Sequence, residues 1–156
     1  MAIAMTVQKY LKDLHIPFDV LAHVRTASSV QTARAAEVPP HRVAKAVVLE
    51  DELGYLMVVL PADRHVQMSV LRDRLGRKVN LASERALMQM FGDCALGAIP
   101  ALGQAYGVET IIDDEIMEQP EIFIEGGSHE ELIQLSRHHF MQLFQNAPHM
   151  HFASVH

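Results

Sequence analysis

Two strongly apolar runs joined by a polar turn constrain the fold of this chain more than any other feature of its sequence. The runs occupy residues 43–49 and 55–60, and the acidic turn 50–54 between them ends in glycine. Short runs of branched apolar residues bounded by a turn are typical of strands that are buried on both faces. The sequence therefore predicts a β-hairpin inside the core.

Shorter helices and strands are predicted around this hairpin. Helical spacing and capping residues predict helices over 5–14, over 30–37 after Ser28 and Ser29, over 69–75 before Gly76, after Ser83, and from Ser136 to Phe144. Strands are predicted at 18–23, 108–112, 121–125 and 132–135. Because no regular βαβ rhythm is present, we expect a mixed α/β fold, with a curved, barrel-like, mostly antiparallel or mixed sheet flanked by short helices.

The length of 156 residues is that of one domain, which we place at 1–147, with 148–156 as a loosely ordered tail. No apolar run reaches the roughly 20 residues of a membrane helix, and no signal peptide is recognised. The single cysteine, Cys94, excludes an internal disulfide framework and agrees with a reducing compartment. We therefore expect a cytoplasmic protein.

The formal net charge of −6 argues against a protein that wraps DNA, because such binding needs many cations on phosphates. Residues 25–78 are nevertheless net basic, with nine Lys or Arg against six Asp or Glu. This asymmetry allows a local anion site, although two ordinary solvated faces would give the same counts.

Lys45 is the most informative single residue. It lies in the middle of the first apolar run, where an ammonium group is costly unless it meets an anion, an acceptor or water. One interpretation is a strand-edge lysine whose side chain reaches solvent. The other is a cation held in a pocket for a phosphate or a developing oxyanion.

The stretch 92–107, here called the glycine loop, contains four glycines and Pro100. Glycines around a proline allow the backbone to present consecutive N–H groups to a ligand, as in an oxyanion hole. Such loops also serve as plain turns, and the sequence alone leaves both interpretations open.

The histidines and the cysteine give weaker signals. Adjacent His138 and His139 on a helix point in different directions, and His149 and His151 fall in the expected tail, so we expect no metal site. His129 follows Gly126-Gly127-Ser128 in a turn, where it either lines a pocket or is solvated. Cys94 has no histidine at a suitable spacing, which favours a small buried thiol over a nucleophile.

Five short segments together carry a resemblance to a known family. They are Ala-Lys-Ala-Val-Val-Leu at 44–49, Val-Val-Leu-Pro-Ala-Asp at 58–63, Leu-Ala-Ser-Glu at 81–84, Gly-Ala-Ile-Pro at 97–100, and Ser128-His129 before Leu132. In this order and spacing the chain resembles the YbaK/prolyl-tRNA-editing-domain family of aminoacyl-tRNA deacylases, from about His23 to Phe144.

The resemblance implies a YbaK-like fold and a free-standing enzyme that hydrolyses the ester between a wrongly attached small amino acid and a tRNA. It implies no metal and no cofactor. The partners that it implies are the acceptor end of an aminoacyl-tRNA and an aminoacyl-tRNA synthetase, with no membrane and no DNA.

The resemblance also assigns roles to individual residues. Catalysis falls to Lys45, which orients the aminoacyl-adenosine end, and to the backbone amides of Gly97, Ala98 and Ile99, which face the substrate carbonyl. Substrate binding falls to Ser29, Arg42, Pro100, Ala101, Ser128 and His129. The family's loop usually reads Gly-x-x-x-Pro, whereas this chain has Ala101 in the last place and its proline at Pro100, which leaves the amino acid open.

Two other classes of function compete with this one. A non-catalytic module could capture an aminoacyl or nucleotide-like ligand, or a protein partner, without hydrolysis; the Ala101 departure and the lack of an acid–base pair support it. A metal or redox protein would use the histidines and Cys94.

Overall fold

The computed structural model describes residues 3–155 and contains six α-helices and ten strands within that range. The helices are α1 (Met5–Asp13), α2 (Ser29–Ala35), α3 (Met68–Leu75), α4 (Glu84–Met90), α5 (Asp114–Met117) and α6 (Arg137–Leu143). The strands are β1 (Asp19–Ala22), β2 (Val43–Asp51), β3 (Gly54–Pro61), β4 (His65–Val66), β5 (Asn80–Leu81), β6 (Glu109–Asp113), β7 (Glu121–Glu125), β8 (Glu131–Ser136), β9 (His149–Met150) and β10 (Ala153–Ser154). Single 3₁₀ turns occupy Pro40–Arg42 and Gly103–Tyr106.

Eight of the strands form one mixed sheet in the order β1-β8-β7-β2-β3-β6-β9, with β5 paired to β2 beside this path. The antiparallel pairs are β1·β8, β8·β7, β2·β3 and β2·β5, and the parallel pairs are β2·β7, β3·β6 and β6·β9. Strands β4 and β10 form a separate antiparallel pair. The predicted mixed, mostly antiparallel sheet with short flanking helices is confirmed.

The predicted hairpin is the centre of this sheet. Strands β2 and β3 pair over eight residues, from Ala44 opposite Pro61 to Asp51 opposite Gly54. Residues Met57 to Leu60 are completely buried, as the apolar runs require. Gly54 takes φ +130°, which suits glycine at the tight end of the turn.

Capping residues set the helix boundaries as the sequence predicts. The hydroxyls of Ser28, Ser83 and Ser136 accept backbone amides in the first turns of α2, α4 and α6. Gly76 ends α3 in the left-handed conformation. Between β6 and β7 the structure adds the short helix α5, which Asp113 caps.

The C-terminal segment differs from the loosely ordered tail that we expected. Strand β9 pairs with β6, β10 pairs with β4, and Phe152 between them is completely buried. The buried carboxylate of Asp113 accepts the backbone amides of Phe152 and Ala153. This segment is short and has no regular strand pattern in sequence, so only its long-range pairing reveals that it belongs to the packed structure.

Buried side chains lie on both faces of the sheet. One face packs against α1, α6 and the loop around residue 100. The cluster on this face includes Met57 of β3, Val7 of α1 and Phe140 of α6. On another part of the sheet, α2 covers a smaller cluster through Ala33, which packs with Val43, Phe123 and Leu132. Among the helices of residues 3–155, none is long and apolar enough to cross a membrane.

Candidate active site

Lys45 lies on the β2 face that α2 covers. Its side chain is half-buried, and its ammonium group donates to the carbonyl oxygen of Arg64 and, at 3.4 Å, to that of Ala62. Burial lowers the pKa of Lys45, while the carboxylate of Asp63 opposes this shift. The lysine that the sequence places inside an apolar strand is thus held by two backbone carbonyls in the loop after β3.

Glu125 is a buried carboxylate at the end of β7 and is only 2% exposed. Its Oε1 accepts the hydroxyl of Ser29 at 3.5 Å, while Oε2 is buried and has no hydrogen-bond partner among the described residues. Burial raises the pKa of Glu125 to about 7, although the hydroxyls of Thr32 and Ser29 lower it in part. A carboxyl group in this state changes its charge near neutral pH.

The register of the sheet places Lys45 and Glu125 side by side. Strands β2 and β7 run parallel with Val43 beside Phe123 and Ala44 beside Ile124, so Lys45 and Glu125 are the next residues along. Because side chains alternate along a strand, both lie on the same face as Val43 and Phe123. One cation and one anion therefore share the end of the α2-covered face.

The glycine loop reaches this end of the sheet through Gly97. A β-carbon on Gly97 would lie 3.1 Å from Cε1 of His129 and 3.3 Å from the carbonyl oxygen of Ala27, and the residue takes φ +83°. The amide of Ala95 also donates to the carbonyl of Gly127 at 2.8 Å. The structure thus joins three segments that lie far apart in sequence: the approach to α2, the glycine loop and the turn after β7.

The backbone amides of the loop are not equally free. The amide of Ala98 donates to the carbonyl of Ala95 at 3.1 Å and closes the turn. This amide, which the resemblance directs at a substrate carbonyl, therefore already has an acceptor. The amides of Gly97 and Ile99 have no backbone acceptor among the described residues. Of the three amides at 97–99, these two are left for an acceptor outside the loop.

The second half of the loop is part of the core. Ala98, Ile99, Pro100 and Ala101 are buried, and the methyl group of Ala101 is completely inaccessible. Ile99 and Ala101 pack with the main hydrophobic cluster. The departure from the family's loop proline is therefore a change at a buried position. Pro100 and Ala101, to which the resemblance assigns substrate binding, have buried side chains.

The turn after β7 holds the other predicted binding residues. Ser128 is 8% exposed, and its hydroxyl accepts the amide of Glu130 at 3.3 Å, which stabilises the turn. The imidazole of His129 is half-buried against Gly97. Its backbone carbonyl accepts the amide of Thr26 at 3.2 Å and ties the turn to the segment before α2.

Arg42 lies apart from Glu125 and the turn that follows it. It precedes β2, and its guanidinium group forms an ion pair at 3.1 Å with Glu121 at the opposite end of β7 from Glu125. The structure therefore brings Gly97 and His129 together, joins Ser29 to Glu125 in the preceding strand, and places Lys45 next to Glu125 along the sheet. Arg42 lies at the other end of β7.

Cys94 is a half-buried thiol whose sulfur lies 3.2 Å from the hydroxyl of Tyr106. Burial raises the pKa of Cys94 to about 12, so its thiolate is scarce near neutral pH. These properties do not suit a nucleophile.

One group of side chains at the C-terminal segment has the composition of a metal site. Ligand atoms of Asp113, Glu115 and His151 lie within 4.8 Å of one another. The carboxylate oxygens of Asp113 already accept three backbone amides, and Glu115 pairs with Arg64 at 3.1 Å. The polar atoms of this group therefore serve the fold.

Glu125 was not among the residues that the sequence analysis singled out. A signal exists, because an acidic residue ends the otherwise apolar strand Ile-Phe-Ile directly before two glycines. Its burial, however, comes from α2, almost a hundred residues earlier in the chain, and no local pattern reports that contact.

Comparison with known proteins places this arrangement in a family. The sequence model of the aminoacyl-tRNA editing domain matches residues 23–143. No curated protein matches the chain.

Solved structures share the fold at low sequence identity. A hypothetical protein, APE2540, has a TM-score of 0.83 at 17% identity, with 96% of this chain and 99% of that chain covered. A candidate trans-editing enzyme for prolyl tRNA synthetase has a TM-score of 0.83 at 18% identity, with 97% and 96% covered. A candidate signal transduction protein from Marinobacter aquaeolei VT8 has a TM-score of 0.77 at 22% identity; 95% of this chain matches 30% of that one.

Proposed function

The chain belongs to the aminoacyl-tRNA editing domain family, and from this we propose that it is a free-standing deacylase for tRNAs that carry a wrong, small amino acid. The reaction is hydrolysis of the ester between the amino acid and the terminal adenosine. The similarity in fold to a candidate trans-editing enzyme for prolyl tRNA synthetase supports action outside a synthetase chain. The proposed setting is the cytoplasm, with a synthetase as a second partner.

One observation carries the proposal: Gly97 packs against His129 and Ala27 at the end of the sheet where Lys45 and Glu125 share a face. In the proposed complex the aminoacyl ester lies beside Gly97. Lys45 attracts the anionic acceptor end, and the free amides of Gly97 and Ile99 face the ester carbonyl.

The proposed chemistry needs no nucleophilic side chain. Water attacks the ester carbon, and the carbonyl oxygen becomes an oxyanion. When the carbonyl re-forms, the bond to the ribose oxygen breaks, and that oxygen takes up the proton that the attacking water loses. Fixed N–H dipoles stabilise such an oxyanion by about 3 kcal/mol each in comparable sites. A neighbouring ribose hydroxyl of the tRNA positions the water.

Selectivity for small amino acids would come from steric exclusion, because one methylene group changes binding by only about 1–3 kcal/mol while a clash excludes a larger group. The tight contact of Gly97 with the 27 and 129 segments supports a narrow site.

A deacylation panel tests the proposal. Purified protein is incubated with tRNAs charged with Ala, Ser, Cys or Pro, beside Lys45→Ala and, as a matched control, Lys12→Ala, which removes an exposed lysine of α1. We expect selective loss of one mischarged species, at least tenfold slower in Lys45→Ala and unchanged in Lys12→Ala. A folded protein that binds these tRNAs and hydrolyses none would instead be the binding module.

A further inference from the structure

We propose that Glu125 binds the α-ammonium group of the aminoacyl ester, so that this buried carboxylate checks that a free amino acid is attached. The inference rests on the proposed function for its substrate, but on the geometry around Glu125 for its site.

The first argument is the unfilled hydrogen-bonding capacity of the carboxylate. Oε2 of Glu125 is removed from solvent and has no partner among residues 3–155, although its companion Oε1 faces Ser29. Buried carboxylate oxygens ordinarily have partners, so an orphaned one at a site indicates a missing donor. The hydroxyls of Ser29 and Thr32 act on this carboxylate but leave Oε2 without a partner, so there is room for a donor from a ligand.

The second argument is charge. The ion pairs found among residues 3–155 do not include Glu125. Lys45, its neighbour across the sheet, directs its ammonium group to the carbonyls of Arg64 and Ala62. A buried anion is stabilised by a hydrogen-bonded cation, and none of these pairs supplies one.

The third argument is the match between the charges of the substrate and those of the site. An aminoacyl-adenosine end is negative at its phosphate and positive at its α-ammonium group. The neighbours Lys45 and Glu125 offer opposite charges at the end of one sheet face. Phosphate would be repelled by Glu125, whereas the ammonium group, with three N–H donors, satisfies the free oxygen.

The fourth argument is access. Ser29, the hydrogen-bonding neighbour of Glu125, is only half-buried, and a short turn of buried glycines, Gly126 and Gly127, follows β7. His129 and Gly97 lie just beyond them. The carboxylate is therefore within one short turn of the proposed position of the ester.

Paired analogues test the inference without relying on turnover. The probes are 3′-aminoacylamido-3′-deoxyadenosine, whose amide resists hydrolysis, and the same compound with its α-amino group acetylated. Affinities are measured by calorimetry for the wild type, for Glu125→Gln, and for Glu130→Gln, which removes a partly exposed carboxylate in the same turn.

We expect the wild type and Glu130→Gln to bind the free-amino probe at least about tenfold more tightly than the acetylated one, in line with one charged hydrogen bond. Glu125→Gln should bind both probes alike, with the loss confined to the free-amino compound. If Glu125→Gln lost affinity equally for both probes, or if the wild type bound the two probes equally tightly, the inference would be overturned.

The deacylation panel separates this result from the proposed function. A wild type that prefers the free-amino probe but hydrolyses no ester retains the role of Glu125 and refutes the deacylase. Hydrolysis with an unchanged probe preference in Glu125→Gln refutes the role of Glu125 and retains the deacylase.

Discussion

The carboxylate of Asp113 accepts the backbone amide of Phe152 at 2.7 Å, in the interior of the protein. The same oxygen accepts the amide of Ala153 at 2.8 Å. Strand β10, which begins at Ala153, pairs with β4, and β4 directly follows Arg64, whose carbonyl holds Lys45. The C-terminal segment is thus attached to the loop that positions the candidate catalytic lysine.

Replacement of Asp113 by Asn should destabilise the protein by about 3 kcal/mol, because a charged acceptor is lost and one side-chain donor then faces backbone donors. The free energy of unfolding in urea measures this. Asp114→Asn, which removes an exposed carboxylate paired with His149, should change it by less than about 0.5 kcal/mol. Equal effects of the two changes would show that the buried contacts contribute little.

Replacement of Gly97 by Ala should abolish most deacylation, because the new β-carbon would lie 3.1 Å from His129 and displace it. Gly76→Ala is the matched control, since Gly76 also has a positive φ, +63°, but has nothing within 4 Å of the added atom. Both changes should cost about 1 kcal/mol of stability through backbone strain. Only Gly97→Ala should lower kcat/KM, by tenfold or more; parallel losses would assign the effect to strain.

The stability of the protein should fall between pH 5 and pH 8 because of Glu125. Burial raises its folded pKa from 4.5 to about 7, so the protonated form is favoured in the folded state. The stabilisation is complete below pH 4.5 and is lost as the pH rises through 7, at about 1.4 kcal/mol per pKa unit.

Urea unfolding of the wild type and of Glu125→Gln at both pH values measures this contribution. The wild type should lose about 2–3 kcal/mol more than the variant over this interval. The other ionisable groups near this end of the sheet, Lys45 and His129, are present in both proteins, so the difference isolates Glu125. Identical pH profiles would contradict the raised pKa.

Alkylation of Cys94 should be slow in the folded protein. With its pKa raised to about 12, the thiolate fraction at pH 8 is roughly a thousandfold below that of an unfolded chain. Mass spectrometry after iodoacetamide treatment, with and without urea, measures the ratio of rates. Rapid modification of the folded protein would reopen a role for this thiol as a nucleophile.

Local patterns predicted most of the helices and strands. The hairpin 43–60, the strand 121–125 and the serine caps all depend on residues close together in sequence, and they agree with the structure to within a few residues. The parallel pairing of β2 with β7 and the strands β9 and β10 depend on distant partners, which local patterns do not report.

The same distinction between nearby and distant residues applies to the candidate site. Lys45 and Gly97 were predicted because an ammonium group in an apolar strand and a glycine-rich loop are unusual in themselves. Glu125 was missed because its significance comes from burial under α2, and Ala98 was assigned a free amide that the turn occupies. Arg42 is a surface cation whose partner, Glu121, only the register of the sheet reveals.

The order of strands in the sheet also governs how the protein emerges from the ribosome. Strand β1 precedes its partner β8 by more than a hundred residues along the chain, and β8 reaches β2 only through β7. Until residues 131–136 have been made, β1 lacks this partner, and until residues 121–125 have been made, one edge of β2 lacks β7. A translating chain therefore exposes unpaired strand edges until β7 and β8 have been made, and premature termination before β7 would release a product inclined to aggregate.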